Sequence, residues 1–321
     1  MNRKAWINIR GLAIICVILI HCTSTKLSGS NTNTIVNLFL NQISRFAVPI
    51  FLISSGFGLT LKKEYELPLK QFYFRRIKIL PDYLLWTLIY FFASNRGNLL
   101  ELVKSIITGN SAAHLYFIVL LIIFYILYPV FYKLSTNIFS FILILLFNVA
   151  GQMIYQIFSV YKFPYFYNWM FFFCFGIFLA QHRNLQNTLK KYKYQLFISG
   201  LALVLISCYI SAFISSRSAG QYTSSMRPTV MIYSIGILSL FIYKLNIPNK
   251  ISVILDKNSM VIYYSHLLIL AAFKKFIPLF QSSNFLIILL LLLVVTVSSL
   301  LFSIIYTKLK KQLYLKLNLI N

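Results

Sequence analysis

The chain has 321 residues, 59% of them hydrophobic and only 11% charged, and its 30 Lys and Arg against 5 Asp and Glu give a net charge of +25. A water-soluble domain spends about a quarter of its residues on charge, so a soluble globular protein is excluded and lipid is the solvent for most of this surface. The positive charge gathers in short clusters between apolar runs, where anionic headgroups and the positive-inside rule place it; this excludes nucleic acid and makes the lipid bilayer the partner.

Apolar runs of about 20 residues, the length that crosses a bilayer, follow one another from end to end. In chain order they predict an all-α, polytopic integral membrane protein of about ten transmembrane helices, over 5–24, 35–60, 79–94, 113–132, 138–158, 164–181, 195–215, 228–244, 259–277 and 284–306. The first run ends in Cys22-Thr-Ser-Thr-Lys26 with no small-residue cleavage signature, so it reads as the first span. The second is long and holds Pro49 and Gly56, which predicts a kink or a re-entrant segment. No composition shift separates a second domain, so 1–321 is expected to form a single integral membrane domain. Cys16, Cys22, Cys174 and Cys208 fall in or beside apolar runs without C-x-x-C spacing, and read as small apolar fillers with no metal site.

With the N-terminus inside, twenty Lys and Arg fall in cytoplasmic segments and eight (Lys26, Arg96, Lys104, Lys162, Arg217, Arg227, Lys274 and Lys275) on the far side. That bias predicts both termini in the cytoplasm and a multi-pass protein of the plasma membrane.

An ionisable residue within a span costs a few kcal/mol and normally faces a cavity or a partner. Arg10 and His21 share the first span, "NIRGLAIICVILIHC". Eleven residues at 100° each turn the helix about 20° past three full turns, so both point one way, about 16 Å apart along the axis. The plain alternative is that Arg10 snorkels to the headgroups and His21 sits at the outer interface. Arg45 precedes Pro49 in "SRFAVPIFLISSGFGL", where Pro49, Ser54, Ser55 and Gly56 leave backbone groups that suit a wet cavity. His114 opens the fourth span and His266 falls inside the ninth; an interfacial ring and a hydrogen bond to a neighbouring helix are their respective alternatives. Arg75 and Arg76 precede "ILPDYLLW", either as ordinary membrane anchors or as a basic mouth for a phosphorylated ligand. Basic groups thus gather at the cytoplasmic side and imidazoles from midplane outward. Histidine suits the join, since an imidazole takes a proton from a hydroxyl and returns it near neutral pH.

Six segments, in order, resemble the acyltransferase-3 family of multi-pass membrane acyltransferases. "RGLAIICVILIH" is similar to the family's R-x10-H signature, "RFAVPIFLISSGF" to its S-G-F/Y helix, and "FRRIKILPDYLLW" to its basic pair followed by a proline and aromatics. "HLYFIVLL", "FFFCFGIFLAQHR" and "DKNSMVIYYSHLLIL" resemble the H-L-W/Y-F, F-x-x-G and S-x-x-I-Y-x-x-H segments. The resemblance covers essentially the whole chain. It implies transfer of an acyl group, most often acetyl from acetyl-CoA or another acyl-CoA as donor substrate, to a hydroxyl of a cell-surface or exported polysaccharide, with no bound cofactor. His21 would be the catalytic histidine, Arg10, Arg75 and Arg76 would bind the donor, and Arg45, His114, His266 and Tyr263 would shape the reaction chamber or meet the glycan acceptor. The chain departs from the pattern at Asn8, where relatives often carry an acid, and at Asp82. No carboxylate is evident within a late span, which leaves His266 or Tyr263 to complete His21. Competing expectations are a polysaccharide exporter, and an acyl-translocating module serving a partner enzyme of polysaccharide synthesis or export.

Overall fold

The computed structural model describes residues 3–27, 31–94, 97–158, 165–214, 223–245, 247 and 249–316, helical throughout with no strand among the described residues. Arg96, Lys162 and Arg217, counted above on the sparser side, lie outside the described residues. The chain divides into two compact units, Asn2–Ala47 with Lys244–Asn321, and Val48–Tyr243.

The first unit joins the two ends of the chain. It holds α1 (Arg3–Thr23), α2 (Thr32–Ile43), α13 (Lys250–Phe276) and α14 (Phe285–Lys316). Asn31 and Asn249 start α2 and α13 by accepting from Thr34 N (2.8 Å) and Ser252 N (2.7 Å), the side-chain capping that satisfies an open helix end. The α1 helix packs on α13 and α14. At Gly11 an added Cβ would lie 3.0 Å from both the Cα and the carbonyl oxygen of Ser252, so the glycine lets α1 and α13 close on each other. Asn8 Nδ2 donates to the carbonyls of Leu245 (2.8 Å) and Ile247 (2.6 Å), pinning the segment that leads into α13.

The second unit runs from α3 (Ala47–Leu61) through α4 (Leu69–Arg76), α5 (Leu80–Ala93), α6 (Leu99–Thr108), α7 (Tyr116–Leu134), α8 (Ile138–Phe158), α9 (Met170–Gln181), α10 (Arg183–Lys191) and α11 (Lys193–Tyr209) to α12 (Pro228–Tyr243). Its core is aromatic. The buried stripe Phe117, Leu121, Phe124, Tyr128 and Phe131 on α7 has helical spacing. Phe173 of α9 stacks on Phe124 at 5.2 Å, and Phe141 of α8 stacks on Phe178 at 4.1 Å. Gly109 ends α6 with φ +71°, a conformation open to glycine and costly for other residues.

Among the described residues six segments are long and apolar enough to cross a membrane: Ala5–Thr23, Thr32–Leu61, Tyr116–Leu134, Ile138–Tyr155, Lys193–Ile214 and Phe285–Leu313. The other four expected crossings coincide with α5, α9, α12 and α13. Three of these have 14, 12 and 16 residues, short of a bilayer's span, and α13 carries Asp256 and several lysines. The short helices α4, α6 and α10 escape the sequence reading because hydropathy windows see only long runs.

The expected kink in the second run is a full break. The turn Ser44–Phe46 separates α2 from α3. Pro49 falls in the first turn of α3, where its missing N–H costs nothing. Ser54, Ser55 and Gly56 have partners among the neighbouring helical groups. Both serine hydroxyls donate back to the carbonyl of Phe51, at 3.0 and 2.8 Å. Gly56 meets α9 instead: a Cβ there would lie 2.1 Å from the Phe173 carbonyl oxygen, and one on Gly176 would lie 2.1 Å from that of Ile53. The S-G-F and F-x-x-G glycines are thus two sides of one close helix crossing. Gly176→Ala forces backbone against backbone and is expected to cost about 1–3 kcal/mol, read as a lower unfolding midpoint in detergent. Gly58→Ala, which meets nothing within 4 Å, is the control expected to leave the midpoint in place.

Candidate active site

In the unit formed by the chain ends, two pairs of ionisable side chains link α1 and α13. Arg10 Nε and Nη2 donate to the two carboxylate oxygens of Asp256, at 2.6 and 2.8 Å, in a bidentate fork. Farther along, the rings of His21 and His266 stand 5.2 Å apart and tilted by 46°. Arg10 precedes His21 by eleven residues and Asp256 precedes His266 by ten, so the steps are about 16 and 15 Å along each axis. Two helices running in the same direction therefore carry matching rungs at nearly equal spacing.

His266 is fully buried and its proton position follows from its neighbours. Its Nδ1 lies 2.7 Å from the Tyr263 carbonyl and 3.2 Å from that of Ile262. Carbonyl oxygens only accept, so Nδ1 carries the hydrogen and the lone pair of the neutral ring is on Nε2. Tyr263 supports that ring from behind, 5.8 Å between centroids, besides lending its carbonyl. His21 is partly buried at the end of α1, with the His266 ring and the cations Arg45 and Lys274 around it.

Arg45 sits in the turn between α2 and α3. Its Nε donates to Asn41 Oδ1 at 2.8 Å, and Nη2 reaches the same oxygen. The amide nitrogen of Asn41 donates to Thr23 Oγ1 (2.8 Å) and to the Ile20 carbonyl (3.3 Å). One buried amide thereby ties Arg45 to the turn of α1 that carries His21.

The second unit holds Arg75, Arg76 and His114. The two arginines end α4, where cations complement the helix dipole. Glu64, whose carboxylate is 7% exposed, lies 3.1 Å from Arg76 and 3.7 Å from Arg75, so one buried acid answers two guanidiniums. The Arg76 guanidinium also lies over the rings of Phe72 (5.6 Å) and Tyr125 (5.7 Å), a cation–π arrangement. Arg76 and Tyr125 line a cavity of about 450 Å³. His114 is buried, with its ring edge-on to Tyr90 at 5.2 Å.

Thus Arg10, His21, Arg45, His266 and Tyr263 are gathered in one unit, and Arg75, Arg76 and His114 belong to the other. The sequence reading missed three side chains that organise these groups: Asp256, Glu64 and Asn41. No late carboxylate was expected to orient a histidine, and the late carboxylate that the structure brings to this unit, Asp256, lies outside the expected ninth span. Asp256 lies one and a half turns inside α13, whose start at Lys250 precedes the expected boundary at 259. It engages Arg10 rather than a histidine. A signal was available in the sequence, since only five acids stand against thirty bases, and each acid in or beside an apolar run is a candidate partner for a motif arginine.

Among the described residues no group of His, Cys, Asp and Glu has the makings of a metal site. A family model described as an acyltransferase domain, the acyltransferase-3 family, matches residues 4–307, essentially the whole chain. No curated protein and no solved structure matches the chain.

Proposed function

The chain belongs to the acyltransferase-3 family, and from that premise we propose that it moves an acyl group, most often acetyl, from acyl-CoA to a hydroxyl of a cell-surface or exported polysaccharide. The membrane is the plasma membrane, crossed about ten times with both termini in the cytoplasm. The observation that supports the chemistry most directly is the imidazole pair His21–His266, held on helices that Arg10 and Asp256 also bridge.

In the proposed step His21 takes the proton of the acceptor hydroxyl as its oxygen attacks the thioester carbonyl. The C–O bond forms, the C–S bond breaks, and the proton passes to the departing CoA thiolate. His266, with its lone pair on Nε2, is the imidazole placed to orient His21. Arg10 and Arg75 act on the donor's phosphates. Arg75 is the more exposed of the basic pair, 45% against 24% for Arg76, and so the one better placed to meet a ligand from water. Arg45, His114 and Tyr263 shape the acceptor side. The acceptor comes from polysaccharide synthesis or export machinery.

Membranes containing the protein, given acetyl-CoA labelled in the acetyl group, should label an acceptor glycan, and membranes lacking it should not. If no glycan is labelled by acetyl-CoA or succinyl-CoA while deletion stops glycan export, the chain is an exporter. If label is held covalently on the protein until a partner enzyme is added, it is an acyl-translocating module.

A further inference from the structure

The cavity beside Arg76 has a chemistry that a water-borne donor does not explain. Its volume of about 450 Å³ is that of a ligand site. Ile77, Ile79, Leu80, Ile122 and Ile126 form its walls. Ile77 and Ile126, on its lip, are 55% and 56% exposed, which in a membrane protein turns the opening toward lipid. The Tyr73 hydroxyl is already spent on the Ile126 carbonyl at 3.1 Å. The polar features left are the Arg76 guanidinium and the Tyr125 hydroxyl, which hydrogen-bonds with Arg76 and Ser55.

That guanidinium is not fully answered. Arg75 and Arg76 share the single carboxylate of Glu64, and Lys78 follows two residues on, so the cluster carries surplus positive charge. Arg76 Nε is buried without a hydrogen-bond partner among the described residues. A buried donor left unmet is costly, and a phosphate oxygen is the acceptor that a guanidinium takes best.

We propose that this cavity binds one anionic phospholipid, its phosphate on Arg76 and an acyl chain between the isoleucines. The connectivity of the ligand decides the class. In a phospholipid only the glycerol stands between phosphate and hydrocarbon, which matches a cation set directly on an aliphatic wall. In an acyl-CoA the whole pantetheine arm separates the two. The surplus charge selects an anionic headgroup over a zwitterionic one. The assignment stands on this unit alone; it gives Arg76 to the lipid and leaves the donor's phosphates to Arg10 and Arg75.

The test uses the full chain, purified and delipidated in mild detergent, titrated with phosphatidylglycerol or phosphatidylcholine, and read by native mass spectrometry and unfolding midpoint. Wild type should retain one phosphatidylglycerol and gain stability from it, with phosphatidylcholine doing neither. Arg76→Gln should bind about 10- to 100-fold more weakly, the loss of a charge-assisted hydrogen bond, and Arg75→Gln much less so. Ile122→Trp fills the cavity while keeping the charge, and should also lose the lipid; it keeps the test alive if Arg76→Gln fails to fold. Equal retention of the two lipids by wild type would overturn the proposal, leaving only ordinary annular lipid. So would undiminished binding by Ile122→Trp, or palmitoyl-CoA displacing phosphatidylglycerol at stoichiometric concentration, which would give the cavity to an acyl donor.

Discussion

His21→Ala is expected to lower acyl transfer by about 100- to 10,000-fold, the range lost with a positioned general base, while the folded protein accumulates normally. The side chain ends a helix whose packing rests on apolar residues such as Ile9, Ala13, Ile14 and Val17, all buried, so truncation at position 21 removes chemistry rather than core. The readout is labelled acetyl appearing on glycan, normalised to protein in the membrane. His266→Ala should lower the rate by a smaller factor, since it removes the ring that orients His21 and leaves the base in place. The reverse ranking, with His266→Ala abolishing the label and His21→Ala nearly harmless, would move the base to His266. The wild-type rate should also fall toward acid pH, because an imidazole that already holds a proton cannot accept one from a hydroxyl.

The parts of this site that were legible in the sequence are those whose cost shows up locally. Arg10, Arg45 and His266 interrupt apolar runs, and any reading that counts the expense of a charge in lipid finds them. The shared face of Arg10 and His21 also follows from helix geometry alone, since both belong to one element. Pairings between elements far apart in the chain were not legible. Arg10 and Asp256 are 246 residues apart, and nothing in either segment specifies that α1 and α13 lie side by side. Asp256 was further hidden by a boundary error. Lys250, Asp256 and Lys257 look like loop residues to a hydropathy window, yet α13 runs through all three, with Asn249 capping its start.

The glycines show a second kind of blind spot. Gly56 follows Pro49 and two serines, a composition that suggests broken backbone, and the structure uses it for contact instead. Its meaning depends on Gly176, 120 residues on, because each glycine admits the other helix's carbonyl. Likewise Glu64 reads as one of several charges in a basic connection, but the turn at Lys63, with φ 54°, precedes a carboxylate that folds back on Arg75 and Arg76. Composition reports the surplus of base over acid. Which bases are answered, and which are left to a ligand, is decided by the fold.

The Arg10–Asp256 fork yields the other large expected effect, and it separates two roles for Arg10. Asp256→Leu leaves a guanidinium without its counter-charge, and Arg10→Met leaves a carboxylate without its own. Each should cost about 2–3 kcal/mol of stability, below the range of about 3–5 kcal/mol for breaking a fully buried pair, because the two side chains are 29% and 15% exposed. The double variant Arg10→Met with Asp256→Leu should recover much of that loss, since two apolar side chains leave no uncompensated charge. The resulting coupling of about 3–5 kcal/mol would be read from unfolding midpoints of the four proteins in one detergent. Activity should not recover with stability. If Arg10 also acts on the donor, the double variant folds well yet shows a raised KM for acyl-CoA, a change that a purely structural fork would not cause. A double variant as active as wild type would confine Arg10 to holding α1 against α13. Single variants within about 0.5 kcal/mol of wild type, the scatter of substitutions that touch nothing, would instead mean that the fork contributes little to that packing, and that His21 and His266 are kept together by the apolar contacts and the close approach at Gly11.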